Sequence, residues 1–79
     1  MPGRLPDLDR RQTVSFLNAF TDHWEHRGGS HIAGVGREGQ PFSFHAKHPL
    51  AMRRDFLGRV LRQLDVSRAE FDAWYQKNG

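Results

Sequence analysis

The apolar positions of this chain change period twice. Val14, Leu17, Phe20 and Trp24 recur at spacings of three, three and four, and Phe16 and Phe20 form an i,i+4 pair. That spacing predicts an amphipathic helix. Asp9 supplies an N-cap, and Gln12 three residues on completes a capping-box pattern, so the helix is expected over 10–21. From His31 the period drops to two. HIAGVG (31–36) and QPFSFH (40–45) read as two strands. Between them, Arg37-Glu38-Gly39 is a three-residue loop with glycine last, the pattern of a type I turn closed by a left-handed glycine. The helical period then returns over 52–64, where Met52, Phe56, Val60, Leu61 and Leu64 mark an apolar face that Leu57 widens. Ser67-Arg68-Ala69-Glu70 is a second capping box, opening a short helix that carries Phe71, Trp74 and Tyr75 and ends near 77.

The loop fixes the hairpin register. With Gly36 and Gln40 closing it, Gly34 faces Phe42, Ile32 faces Phe44, Ala33 faces Ser43 and His31 faces His45. Ile32, Phe42 and Phe44 then share the face to be buried, and His31, Ser43 and His45 share the other. A slip of one residue would set His31 against Phe44 and lose that agreement. Pro41 donates no ladder hydrogen bond and suits an edge or a strand start. HWEHRG (23–28) reads either as a frayed helix end or as a first strand. A strand is favoured, because an isolated hairpin is only marginally stable. Residues 1–9, with Pro2, Gly3 and Pro6, read as a flexible lead-in, and 10–79 as a single domain. The expected architecture is α+β: an antiparallel meander covered on its apolar face by two helices, the histidine face open.

Composition adds limits. A chain of 79 residues has room for one core. Without cysteine, disulfides and thiolate metal sites are excluded. No apolar run approaches the roughly 20 residues of a membrane-spanning helix, and the first residues lack an apolar signal core, so a cytoplasmic protein without membrane contact is expected. Twelve Lys and Arg against nine Asp and Glu give a net charge of +3. The excess is largely arginine, whose fork binds phosphates bidentately, which favours a nucleic-acid or acidic-protein partner. A solvated basic surface is the plainer alternative.

Arg27-Gly28-Gly29-Ser30-His31, PFSFH ending at His45, FLGRVLRQLDVS from Phe56 to Ser67, and AEF ending at Phe71 stand in an order and spacing that resembles the HicA (YcfA-like) toxins of bacterial toxin–antitoxin systems. The likeness spans 14–75. It implies a double-stranded-RNA-binding-domain-like α-β-β-β-α two-layer sandwich with a short extra C-terminal helix. It also implies an mRNA-cleaving toxin restrained by a HicB-like antitoxin, with the catalytic histidine of Gly-Ser-His falling on His31. The chain departs from the pattern at Asp65, where many relatives carry glycine.

Such a site needs no metal or other cofactor if the 2′-hydroxyl attacks its own phosphate. It needs a base, an acid and cations for the charge that builds on phosphorus. Imidazole, with an unperturbed pKa near ~6.5, serves as either base or acid. The two glycines let an RNA backbone approach His31 closely. Gly29 and Ser30 lie where phosphate oxygens would bind, and Arg27 and Lys47 are the nearest cations in sequence. His45 is the second catalytic candidate, or else a phosphate ligand or loop-orienting residue. Arg53, Arg54, Arg59 and Arg62 form an RNA-contacting stripe, a solvated helix face or an antitoxin patch. His23-x-x-His26 and His45-x-x-His48 supply too few ligands for a metal site, and none is assigned. A histidine on a strand is often only a polar residue on a wet face. A non-catalytic nucleic-acid-binding or inhibitor module on the same fold, and a small protein-interaction domain, are therefore the competing readings.

Overall fold

The computed structural model describes residues 4–46 and 51–78. Its elements are α1 (Arg10–Phe20), β1 (Thr21–His26), β2 (His31–Gly36), β3 (Pro41–His45), α2 (Arg54–Leu64) and α3 (Arg68–Asn78). The strands form one antiparallel sheet in the order β1-β2-β3. The fold class is therefore α+β, as the periodicities imply. Among the described residues no helix is long and apolar enough to cross a membrane.

The capping box at α1 is present in full. Gln12 N–H donates to Asp9 Oδ1 (2.8 Å) and Asp9 N–H to Gln12 Oε1 (3.0 Å). The helix stops when Thr21 turns extended (φ −125°, ψ 156°), and β1 begins there without a loop. Its buried face is Thr13, Phe16 and Leu17, which corrects the expected stripe: Val14 and Phe20 are only partly buried. The cause is α3. Phe16 packs against Phe71 and Trp74 at centroid distances of 6.0 and 5.6 Å, which turns the helix so that Phe16 points inward. Trp24 belongs to β1, where its indole N–H donates to Asn18 Oδ1 (2.9 Å).

The ambiguous stretch after α1 is a strand. The β1–β2 register shifts between Thr21 and His23, making Asp22 the extra residue of a bulge. Gly34 is glycine because β1 passes too close for a side chain: a Cβ there would lie 2.7 Å from Trp24 Cα and closer still to the His23 carbonyl. The β2–β3 register is the one counted from the loop, including His31 opposite His45. Gly39 takes φ 88°, and Gly36 N–H donates to Gln40 O (2.7 Å). The second strand starts at Pro41, one residue later than expected.

Ile32, Phe42 and Phe44 are buried with Leu17, Val60 and Leu64. Phe56, expected among them, is only partly buried, and Leu57 and Leu61 take the inward positions of α2. Met52 is not helical. It pairs with Leu8 in an isolated antiparallel bridge of two backbone hydrogen bonds (2.8 and 2.9 Å). Leu8 is 2% exposed, so the segment expected as a free lead-in is built into the core at its end. It also caps α2. Arg53, the N-cap, makes no side-chain bond, and Asp7 Oδ1 instead accepts Arg54 N–H at 2.8 Å.

The second capping box is likewise reciprocal, with Ser67 N–H donating to Glu70 Oε1 (2.9 Å) and Glu70 N–H to Ser67 Oγ (3.1 Å). The helix it opens is not short. At 11 residues α3 equals α1 and α2, because Phe71 and Trp74 extend the core between α1 and α3. Asp65 ends α2 in the left-handed region (φ 57°), with Val66 N–H donating back to Leu61 O (2.9 Å).

Candidate functional site

The helices cover one face of the sheet, and the other carries the candidate chemistry. His31 and His45 sit directly opposite each other on β2 and β3 with rings stacked, centroids 5.0 Å apart and planes 21° from parallel. His31 is partly buried and His45 exposed. The loop before His31 is held by backbone bonds: Arg27 N–H to His31 O (2.8 Å) and His31 N–H to Gly28 O (3.1 Å). Gly28 (φ 71°) and Gly29 (φ 55°) are both left-handed, and a Cβ at either would meet nothing within 4 Å. Glycine is thus required there by backbone conformation and not by space. The Gly29 carbonyl accepts His26 Nε2–H (2.8 Å) and the Ser30 carbonyl accepts Ala46 N–H (2.8 Å), which pins the loop on both sides. Gly29 and Ser30 themselves are exposed.

Beside the histidines, β1 lays a charged row along the same face. Arg27 Nε–H donates to Glu25 Oε2 at 2.6 Å, and His23 Nε2 stands 3.4 Å from Glu25 Oε1. The Arg27 hydrogen bond, and then that of His23, hold the Glu25 carboxyl below the usual carboxylate range. The nearest described cation to the histidine pair in sequence therefore begins in an exposed ion pair. His23 and His26 pair with Val35 and Ile32, an odd number of residues apart along β1, so they lie on opposite faces and do not converge.

The α2 helix borders the site through Gln63, an exposed polar residue of its last turn. The Gln63 carboxamide accepts Ser43 N–H (2.9 Å) and donates to Ser43 O (3.1 Å), closing the outer edge of β3 as a neighbouring strand would. Gln40 Nε2–H donates to Leu64 O (2.9 Å), so the end of α2 lies at the start of β3. The helix accordingly runs antiparallel to the strand. Arg59, one turn before Gln63, lies on the same flank toward the His45 end, with its guanidinium 5.7 Å from the Phe56 ring centroid. Arg62 adjoins it, exposed. Arg54 falls on the opposite flank, ion-paired to Asp7 at 3.7 Å, and Arg53 occupies the N-cap position without a side-chain capping bond. The four arginines therefore do not form one stripe. Lys47 and His48 lie outside the described residues.

Between these groups the open face is a shallow hollow lined by Arg27, His31, Ala33, Val35, Ser43 and Gln63. It joins a small apolar floor to the His31 imidazole and the Arg27 guanidinium at one end and to His23 at the other, while His45, stacked on His31, stands just outside the lining. Glu25 and Gln63 are the site residues that sequence reasoning missed. Glu25 was legible, since a strand over 23–28 sets it between His23 and Arg27 on one face; nothing local in the sequence marks Gln63. Comparison with known proteins gives no match to a family model, a curated protein or a solved structure.

Proposed function

We propose that this chain is an mRNA-cleaving toxin of the HicA kind. In this reading it is a metal-independent endoribonuclease on a double-stranded-RNA-binding-domain-like fold, working in the cytoplasm and held inactive by a HicB-like antitoxin. The observation that carries the reading is the stacked His31–His45 pair on the open face, at the end of the Gly-Gly-Ser loop and beside Arg27. The resemblance of Gly29-Ser30-His31 and of the segments after it to that family supports the same assignment.

The chemistry follows from the groups present. The substrate 2′-hydroxyl attacks the adjacent phosphorus. One imidazole takes its proton as the O2′–P bond forms; the other, protonated, gives a proton to O5′ as the P–O5′ bond breaks. Two ring edges side by side suit the two oxygens of an in-line displacement. Arg27, on leaving Glu25, neutralises the charge that builds on the phosphoryl oxygens. Arg59 and Arg62 on the α2 flank hold the flanking backbone by charge. No step requires a metal, because the substrate supplies the nucleophile.

The test is product analysis in excess chelator. Cleavage should continue and leave a 2′,3′-cyclic or 3′-phosphate and a 5′-hydroxyl, and a 2′-deoxy substitution at the scissile nucleotide should block it. Cutting of the 2′-deoxy substrate, or products with 5′-phosphates, would overturn the proposal.

A further inference from the structure

The two edges of the sheet are treated differently. At β3, Pro41 has no N–H to offer and Gln63 occupies both backbone groups of Ser43. At β1 nothing comparable is present among the described residues. The bond from Arg27 N–H to His31 O sets the alternation of the β1–β2 ladder. Glu25 and His23 turn their backbone groups toward β2, and Trp24 and His26 turn theirs outward. No hydrogen bond from another element reaches those outward groups among the described residues.

We propose that β1 is a self-association edge: two copies pair antiparallel along it about a twofold axis at Trp24, making one six-stranded sheet. The occupant follows from the charge order Asp22-His23-Trp24-Glu25-His26. Antiparallel pairing centred on Trp24 sets His23 against Glu25 of the second copy, twice, and Asp22 against His26, twice. The segment is complementary to itself, as an isologous contact demands. Neighbouring registers that also match the outward groups fail. Centring on Glu25 sets Glu25 against Glu25, and centring on His23 sets His23 against His23; like residues of one charge type directly opposite are unfavourable. Centres between residues pair an outward backbone with an inward one and make no ladder. Charged residues on an edge ordinarily discourage such pairing. Here their order admits one register of one partner, a second copy of this chain. Asp22 is the bulged residue, so the central His23–Glu25 pairs carry most of the selectivity. A twofold axis normal to the sheet keeps both histidine pairs on the same open face.

The test is sedimentation equilibrium of the full chain from micromolar to millimolar concentration, with cross-linking to read the register. Wild type should show a monomer–dimer equilibrium. His23→Glu, an exposed change that circular dichroism should show to be folded, should weaken the dimer about tenfold or more by replacing two attractions with two repulsions. The exchanged pair His23→Glu with Glu25→His should restore it. Since the chain has no cysteine, His23→Cys mixed with Glu25→Cys should form a heterodimeric disulfide, the paired Cα atoms being about 4.5 Å apart. Neither variant alone should cross-link, because like positions are two residues out of register. A wild type that stays monomeric throughout overturns the proposal. So does a dimer indifferent to His23→Glu, or single variants that cross-link as well as the mixture.

Discussion

Gln63→Ala isolates the device that closes the β3 edge. The side chain contributes two hydrogen bonds, of 2.9 and 3.1 Å, to one residue of the strand beside the histidine pair. Each such bond is worth about 0.5–1.5 kcal/mol net, and this exposed pair belongs at the lower end, so the loss should be about 1–2 kcal/mol. Against a domain stability of roughly 4–12 kcal/mol for this length, that is a measurable fraction. Urea titration followed by tryptophan fluorescence reads the global change. Amide exchange reads the local one. Ser43 N–H should exchange about 5–30-fold faster, the same free energy expressed as a ratio. The Phe42 and Phe44 amides, which face β2 in the ladder, should accelerate far less. Gln63→Glu keeps the acceptor and loses the donor, and it should also destabilise the edge by setting an oxygen against Ser43 O. If Ser43 exchange and global stability are both unchanged in Gln63→Ala, the carboxamide does not close the edge.

Further outcomes follow from the same structure. Phe44→Ala removes a core ring only 5% exposed and should cost about 3–5 kcal/mol, read by thermal or urea unfolding; a loss under about 1 kcal/mol would contradict the packing. Asp65→Gly relieves a non-glycine residue at φ 57° and should stabilise by about 0.5–1 kcal/mol in the same assay; a loss of stability would mean that the Asp65 side chain has a role no contact here explains. Replacing Arg59 and Arg62 by Gln should lower the salt slope of RNA binding by about 0.7–0.9 for each phosphate no longer neutralised, whereas Arg54→Gln, on the far flank, should leave it nearly unchanged.

What was legible in the sequence was whatever local geometry determines. The Arg37-Glu38-Gly39 loop set the β2–β3 register and so brought His31 opposite His45. The two capping boxes started α1 and α3 where Asp9 and Ser67 stand. What was not legible depends on contacts between distant segments. Val14 and Phe16 are both apolar residues of one helix, and only α3 decides which points inward. Leu8 lies in a stretch with no regular period and Met52 fits the spacing of α2, yet the two pair as a bridge because a cap for α2 and a lid on the core are supplied from the N-terminal side. Gln63 looks like any polar position of an amphipathic helix until β3 lies alongside it. The stacking of the two imidazoles is intermediate: register placed them together, and side-chain packing oriented the rings.

In the proposed mechanism His31 performs proton transfer on RNA. The decisive measurement compares wild type and His31→Ala on the same RNA, with binding and cleavage read separately. His31 projects from the open face and is absent from the core cluster, so the variant should fold and bind RNA much as wild type does. Loss of an acid or base should slow cleavage by about 10²–10⁴-fold, and growth arrest on expression should disappear with it. A folded His31→Ala protein that cleaves at the wild-type rate would contradict the account, and so would a wild type that binds RNA and never cuts it.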